Sequence, residues 1–157
     1  MMRSKSSKPH ASGFSLIELL IVVAIIGILA GVIIPAFHSS VRKANEAAAV
    51  TAVNTIKIAQ AKYAMDHEGH YGTFAELYKS GYLDKRFNNE SPHIRGYVFV
   101  LTLVDKPQRA AASFQVRANP ELSEGLTATG SVFYYSEPDT GVSYSREGPA
   151  DNEDELL

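Results

Sequence analysis

The residues best placed to do chemistry in this 157-residue chain lie near its start, where Gly13 and Phe14 precede a lone carboxylate, Glu18, at the head of an apolar run. From Leu19 to Ile34 there are 16 residues with no charged or polar side chain. A carboxylate near the end of such a helix costs on the order of 2 to 3 kcal/mol to insert into a bilayer. It therefore needs a route to the headgroups or a partner. A cut between Gly13 and Phe14 would create an α-amino group one helical turn from Glu18. In a stack of such helices, the acid of one copy can neutralise the amine of the next, removing two unpaired charges from apolar surroundings. Elsewhere the candidates are weaker. His67 and His70 stand three residues apart in a glycine turn, with Glu68 between them. Zinc needs further ligands or an i,i+4 pair on a helix, so these read as a polar loop. Glu137 and Asp139 sit in a turn that lacks the density of oxygens a calcium loop uses. The chain has no cysteine, which removes disulfides, thiolate metal sites and cysteine nucleophiles together. With no Ser/His/Asp arrangement, phosphate loop or dinucleotide fingerprint either, the reading is a non-enzyme without cofactor or metal.

The elements around Glu18 read as a membrane helix. Residues 1–13 are basic (Arg3, Lys5, Lys8) and contain no acid, which sets a cytoplasmic N-terminus. Phe14 to Phe37 is 24 residues, against about 20 needed to span a bilayer. A secretory signal fits less well: its apolar core runs to roughly 7 to 15 residues, and Pro35-Ala36-Phe37 makes a mediocre cleavage site. Gly27 and Gly31 are spaced as GxxxG, a helix-packing pattern, and each weakens a helix by about 1 kcal/mol relative to Ala. Pro35 removes one backbone bond and kinks the helix or loosens the preceding turn.

Gly13-Phe14-Ser15-Leu16-Ile17-Glu18, followed by LLIVVAIIGILAGVIIPAF, resembles the class III signal and N-terminal helix of type IV pilins and type II secretion pseudopilins. The resemblance is dense from Gly13 to Arg42 and thin afterwards. It implies that a prepilin peptidase cuts after Gly13 and N-methylates Phe14, and that Glu18 serves in filament assembly. It also implies that the Gly27–Pro35 segment loses helicity in the filament. Loss of the leader leaves 12 basic and 17 acidic residues. Two features depart from familiar members. Without cysteine, no disulfide can close a C-terminal loop. Without tryptophan, the pattern of the major secretion pseudopilin is missing, which leans toward a type IVa-like pilin.

Beyond the apolar run, Ala49, Ala52, Val53, Ile56, Ala59 and Tyr63 recur at three- and four-residue steps, one face of a helix. A single helix from Ser15 to near Met65 would be about 77 Å long at 1.5 Å per residue. Gly69 ends it. Thr73 and Glu76 form a capping box opening a short helix to about Ser80, with Phe74, Leu77 and Tyr78 facing a core. Asp84–Arg95 reads as a polar connection. Tyr97–Val104 is β-branched and aromatic throughout, a strand covered on both faces. Asp105-Lys106-Pro107-Gln108 is a turn, Ala112–Ala118 an alternating strand, Asn119–Gly125 a loop, Val132–Tyr135 a third strand and Val142–Ser145 a fourth. Glu147–Leu157 carries five acids and reads as a solvated, flexible tail. The expected fold is α+β, a long N-terminal helix whose C-terminal half packs on an antiparallel sheet of about four strands. The divisions are a leader at 1–13, a membrane or filament-core helix at 14–40, its amphipathic half at 41–66, a globular domain at 67–146 and the tail at 147–157.

Charged residues are 20% of the chain and the net charge is -2, which excludes a strongly basic nucleic-acid surface and an acidic disordered protein. Lys57, Lys62, Lys85 and Arg86 lie among acids and read as a solvated face, so no nucleic acid is expected as a direct partner. The eight tyrosines and seven phenylalanines fall mostly in strands and read as core. The expectation is a structural subunit: a single-pass inner-membrane prepilin that polymerises with its own copies into an extracellular filament for adhesion, motility or DNA uptake. Its further partners are the prepilin peptidase, the assembly platform and minor pilins. The rivals are a pseudopilin forming a periplasmic piston for protein export, and a membrane-anchored binding domain that never polymerises.

Overall fold

The structure, a computed structural model, describes residues 13–104 and 112–157. The basic leader ahead of Gly13 and the turn at 105–108 lie outside the described residues. Helix α1 runs from Leu16 to Asp66, 51 residues with Pro35 inside. The described residues fall into two compact units, one ending at residue 36 and the other beginning at residue 37.

In the second unit, the sequence stripe is the buried one. Ala49, Ala52, Val53, Ile56, Ala59 and Tyr63 are all buried, while Asn54 and Lys62 are exposed. Small residues at 49, 52 and 59 let the helix lie close to a sheet, and Val53 and Ile56 fill the space between. The helix is tied down at three places along its length. Asn45 Nδ2 donates to the Thr129 carbonyl at 3.0 Å, and Glu46 Oε1 accepts from both the backbone N–H and the hydroxyl of Ser131 at 2.9 Å. Lys57 Nζ donates to the Thr140 carbonyl. Gln60, fully buried, takes up the N–H of Gly72 at 3.0 Å and its carbonyl at 2.6 Å. That pair closes the turn after the helix, where Glu68 and Gly69 adopt positive φ.

Helix α2 spans Phe74–Lys79 with both arms of the Thr73–Glu76 capping box formed. Phe74 and Leu77 enter the core, but Tyr78 is 38% exposed, so only two of the three expected residues face inward. The connection expected at Asp84–Arg95 is more ordered than its polarity suggests. It holds a 3-10 turn at Lys85–Phe87 that buries Phe87, then the two-residue strand β1, His93–Ile94, with Ile94 buried.

The sheet has six strands, not four, in the order β1-β2-β3-β4-β5-β6, each antiparallel to the next. Strand β2 is Tyr97–Val104 and pairs along its whole length with β3, Ser113–Pro120. Only one face of β2 is covered: Tyr97 and Phe99 are buried, whereas Val100 is 37% exposed. Its unbroken apolar run therefore overstated its burial. In β3 the alternation holds, with Phe114, Val116 and Ala118 inward. Strands β4, Phe133–Ser136, and β5, Val142–Ser145, follow. Asn119 and Pro120 extend β3 rather than starting the loop.

The last eleven residues fold back onto the sheet, correcting the flexible tail. Ala150 is buried, Ser143 Oγ donates to the Asp151 carbonyl at 2.7 Å, and Glu155–Leu156 form β6 against β5. The Tyr144 hydroxyl donates to Glu155 Oε2 at 2.6 Å, and the Leu157 N–H donates to the Val142 carbonyl at 2.9 Å. Strand pairing and these bonds close the C-terminal region in a chain that has no cysteine to do so.

Candidate functional site

At the head of α1 the geometry is simple. Phe14 is 80% exposed. Ser15 stands just before the first helical residue, and its carbonyl accepts from the Leu19 N–H at 3.2 Å. The Ser15 N–H donates to Glu18 Oε2 at 2.9 Å. This is one arm of a capping box, in which an acid at the third helical position reaches back to a backbone donor that the helix leaves unpaired. The S-x-x-E spacing of Ser15 and Glu18 announces it, a signal overshadowed by the more obvious membrane pattern. The helix dipole favours an anion in this first turn as well. Glu18 is thus held at the helix terminus through its bond to Ser15, the residue next to Phe14 in sequence.

Behind it, every Leu, Ile, Val and Phe from Phe14 to Phe37 is exposed. By length and composition this helix can cross a membrane, and none of its most apolar stretch is covered. Gly27 and Gly31 lie within α1, and a methyl added to either, or to Gly13, meets nothing within 4 Å. The fold itself therefore gives no steric reason for glycine at these places, although each helical one weakens the helix. Pro35 is accommodated without interrupting the helix, while offering no N–H to the Gly31 carbonyl four residues earlier.

Among the weaker candidates, His67, Glu137 and Asp139 have other neighbours, while His70 and Glu68 are exposed. The His67 ring stacks on Tyr63 with centroids 3.7 Å apart, and its Nδ1 lies 2.8 Å from the Tyr63 carbonyl. No group of three or more His, Asp or Glu among the described residues is arranged to hold a metal ion. Glu137 accepts from the Tyr135 hydroxyl, and Asp139 lies near Lys57, whose pKa is lowered by burial and raised in part by that acid. The aromatics pack on one another in the core, as in Tyr71–Phe114 at 4.8 Å and Phe74–Phe87 at 6.2 Å.

Residues 8–34 match the prokaryotic N-terminal methylation motif, a stretch that holds Gly13, Phe14, Glu18, Gly27 and Gly31. Over 72 residues the chain is 39% identical to the type IV wide pilus major component PilA4 of Thermus thermophilus, covering 46% of this chain and 55% of that protein. It is 37% identical over 87 residues to the type IV major pilin PilA of Myxococcus xanthus, 55% of this chain and 38% of that one. Against the type IV major fimbrial protein FimA of Dichelobacter nodosus the identity is 45% over 61 residues, 39% of this chain and 38% of the relative. Over its N-terminal half, the chain is similar to type IV pilins.

The likeness to these pilins spans about half or less of their length. No solved structure matches the chain. The α+β arrangement of the chain, one long N-terminal helix followed by an antiparallel sheet, is therefore read from its own coordinates.

Proposed function

We propose that the chain is a structural subunit of a type IV pilus. It is made as a prepilin in the inner membrane, cut between Gly13 and Phe14 by a prepilin peptidase and methylated on the Phe14 amine. With the assembly platform and minor pilins it is then built into an extracellular filament. One observation carries this reading: a continuous apolar helix surface, wholly uncovered, with a single carboxylate at its head. At roughly 25 cal/mol per Å², that surface is unsustainable in water. Lipid covers it before assembly, and the same helix of neighbouring copies covers it in the filament.

Glu18 then sets axial register. Only one stagger brings its carboxylate to the new amine of a neighbour, and every other leaves two charges unpaired in an apolar core. Gly27 and Gly31 allow close helix approach, and with Pro35 they supply the weak stretch along which the helix can extend. The names of the relatives, all major pilus or fimbrial proteins, support a pilin over a secretion pseudopilin.

The cleavage step is tested by replacing Gly13 with a bulkier residue. Full-length precursor should accumulate in the membrane. A normally processed product from that variant would sink the cleavage assignment.

A further inference from the structure

The order of the sheet puts two dissimilar surfaces at its opposite edges. At the β1 edge, a groove of about 290 Å³ runs between α1 and the β1 region. Its floor is small and apolar, formed by Ala44, Ala48 and Ala52 with Thr51 and Thr55. The two threonine hydroxyls are spent on helix carbonyls, those of Ala47 and Thr51. Two arginines, Arg86 and Arg95, line the groove and no carboxylate does. Arg86 is bound to Asp84 at 2.7 Å. The Arg95 side chain makes no hydrogen bond or ion pair among the described residues. Arg95 also occupies a costly position: its φ is +49°, and with Gly96 at +74° it makes the tight turn between β1 and β2. Asn, Asp or Gly suits that conformation better. Backbone geometry does not explain an arginine there.

At the β6 edge the character is reversed. Glu147–Leu157 carries five acids. Glu153 is exposed, and its carboxylate has no partner among the described residues. Leu156 and Leu157 beside it are 61% and 66% exposed. The edge thus presents free negative charge and two large apolar side chains together. Five strand spacings of about 4.8 Å separate the two edges, about 24 Å in all, so one chain cannot join its own.

We infer that the groove at the β1 edge receives the C-terminal segment of a second copy of this chain, with Leu156 and Leu157 on its alanine and threonine floor and Glu153 against Arg95. Both kinds of complementarity point to the same occupant: the floor lacks what the leucines supply, and the rim carries the charge opposite to the acids. Such a contact joins two different surfaces of identical chains. It is heterologous and leaves one free surface of each kind, so it propagates rather than closing on a dimer. The inference rests on the pilus reading and adds to it a contact between the globular domains of neighbouring subunits.

The absence of native cysteine gives a clean test in the full-length chain, expressed in cells that assemble it. A double variant, Arg95→Cys with Glu153→Cys, should yield sheared filaments that run after mild oxidation as a ladder of multimers without reductant. Each single variant should remain largely monomeric. Filaments of the double variant that stay monomeric would overturn the contact while leaving the pilus reading intact. Arg95→Asn guards against a folding failure, since Asn fits the turn better. It should keep full levels of processed protein yet lower the sheared yield several-fold. Arg95→Glu should lower the yield further, and adding Glu153→Arg should restore it. Unchanged yields from Arg95→Asn and Arg95→Glu would also overturn the contact. If the unaltered chain gives no surface filaments, the pilus reading itself fails and the contact falls with it.

Discussion

Glu18 makes one observed contact and has one proposed role, and replacing it with Gln or Ala tells them apart. In the single chain its carboxylate accepts the Ser15 N–H at 2.9 Å at an exposed helix end. Losing such a cap costs about 1 kcal/mol, less than a tenfold change in any equilibrium. In the proposed filament the same carboxylate is to face an amine in apolar surroundings. Breaking a buried pair by removing one partner costs roughly 3 to 5 kcal/mol, because the other charge is left uncompensated. That is a factor of a hundred or more for each subunit added. Glu18→Gln keeps an oxygen that can accept the Ser15 N–H but carries no charge, whereas Glu18→Ala removes both. The expected result is that both variants reach the membrane and are processed, and both give little or no sheared filament. The assay compares the amounts of processed chain in sheared and membrane fractions. Filaments at normal abundance from Glu18→Gln, with loss only in Glu18→Ala, would show that the capping bond matters and the charge does not, and the register argument would fail.

Other consequences concern the globular domain. Gln60→Leu leaves the buried Gly72 N–H and carbonyl without their partner; at about 1 to 3 kcal/mol for each lost group, thermal melting of the detergent-solubilised chain should fall by several degrees. Gly130→Ala places a methyl on the hydroxyl of Tyr97, which is fully buried and donates to the Val132 carbonyl at 2.8 Å. Overpacking of this kind costs about 1 to 3 kcal/mol, and limited proteolysis should show faster cleavage of the variant. Burial pushes the Tyr134 hydroxyl up to about 12, and raises that of Tyr97 too. Unfolded tyrosines ionise near pH 10, so from there upward the unfolded chain binds fewer protons than the folded one and stability falls as pH rises. An alkaline titration should show unfolding setting in between pH 10 and 12, with phenolate absorbance from these two rings arriving only with it. A Tyr134 hydroxyl that ionises near pH 10 in the folded chain would contradict its burial.

The legible parts of this fold were those with a period or a paired signal. The stripe from Ala49 to Tyr63 repeats often enough to fix a helix face, and Thr73 with Glu76 marks a helix start by two residues acting on each other. What escaped were single residues whose role depends on distant partners. Phe87 stands alone in a polar stretch, so nothing local says that Phe74 and Phe99 await it. Gln60 lies on the buried face of α1 but is polar, and its match to Gly72 is visible only once the turn is closed. Glu155–Leu156 pairs as β6 because β5 offers a free edge, and an acidic segment read alone gives no hint of one. At the candidate site, Gly13, Phe14 and Glu18 stood out because their types and spacing are so improbable beside an apolar helix. The bond between Ser15 and Glu18 was equally local, carried by a spacing that also marks ordinary soluble helices.

Intact mass spectrometry of filaments sheared from the cell surface, set beside the membrane fraction, bears most directly on the proposed pilus subunit. An abundant sheared species with the mass of residues 14–157 plus one methyl group is the predicted result. A chain that still carries residues 1–13, or a processed chain confined to the membrane with none in the sheared fraction, would contradict it.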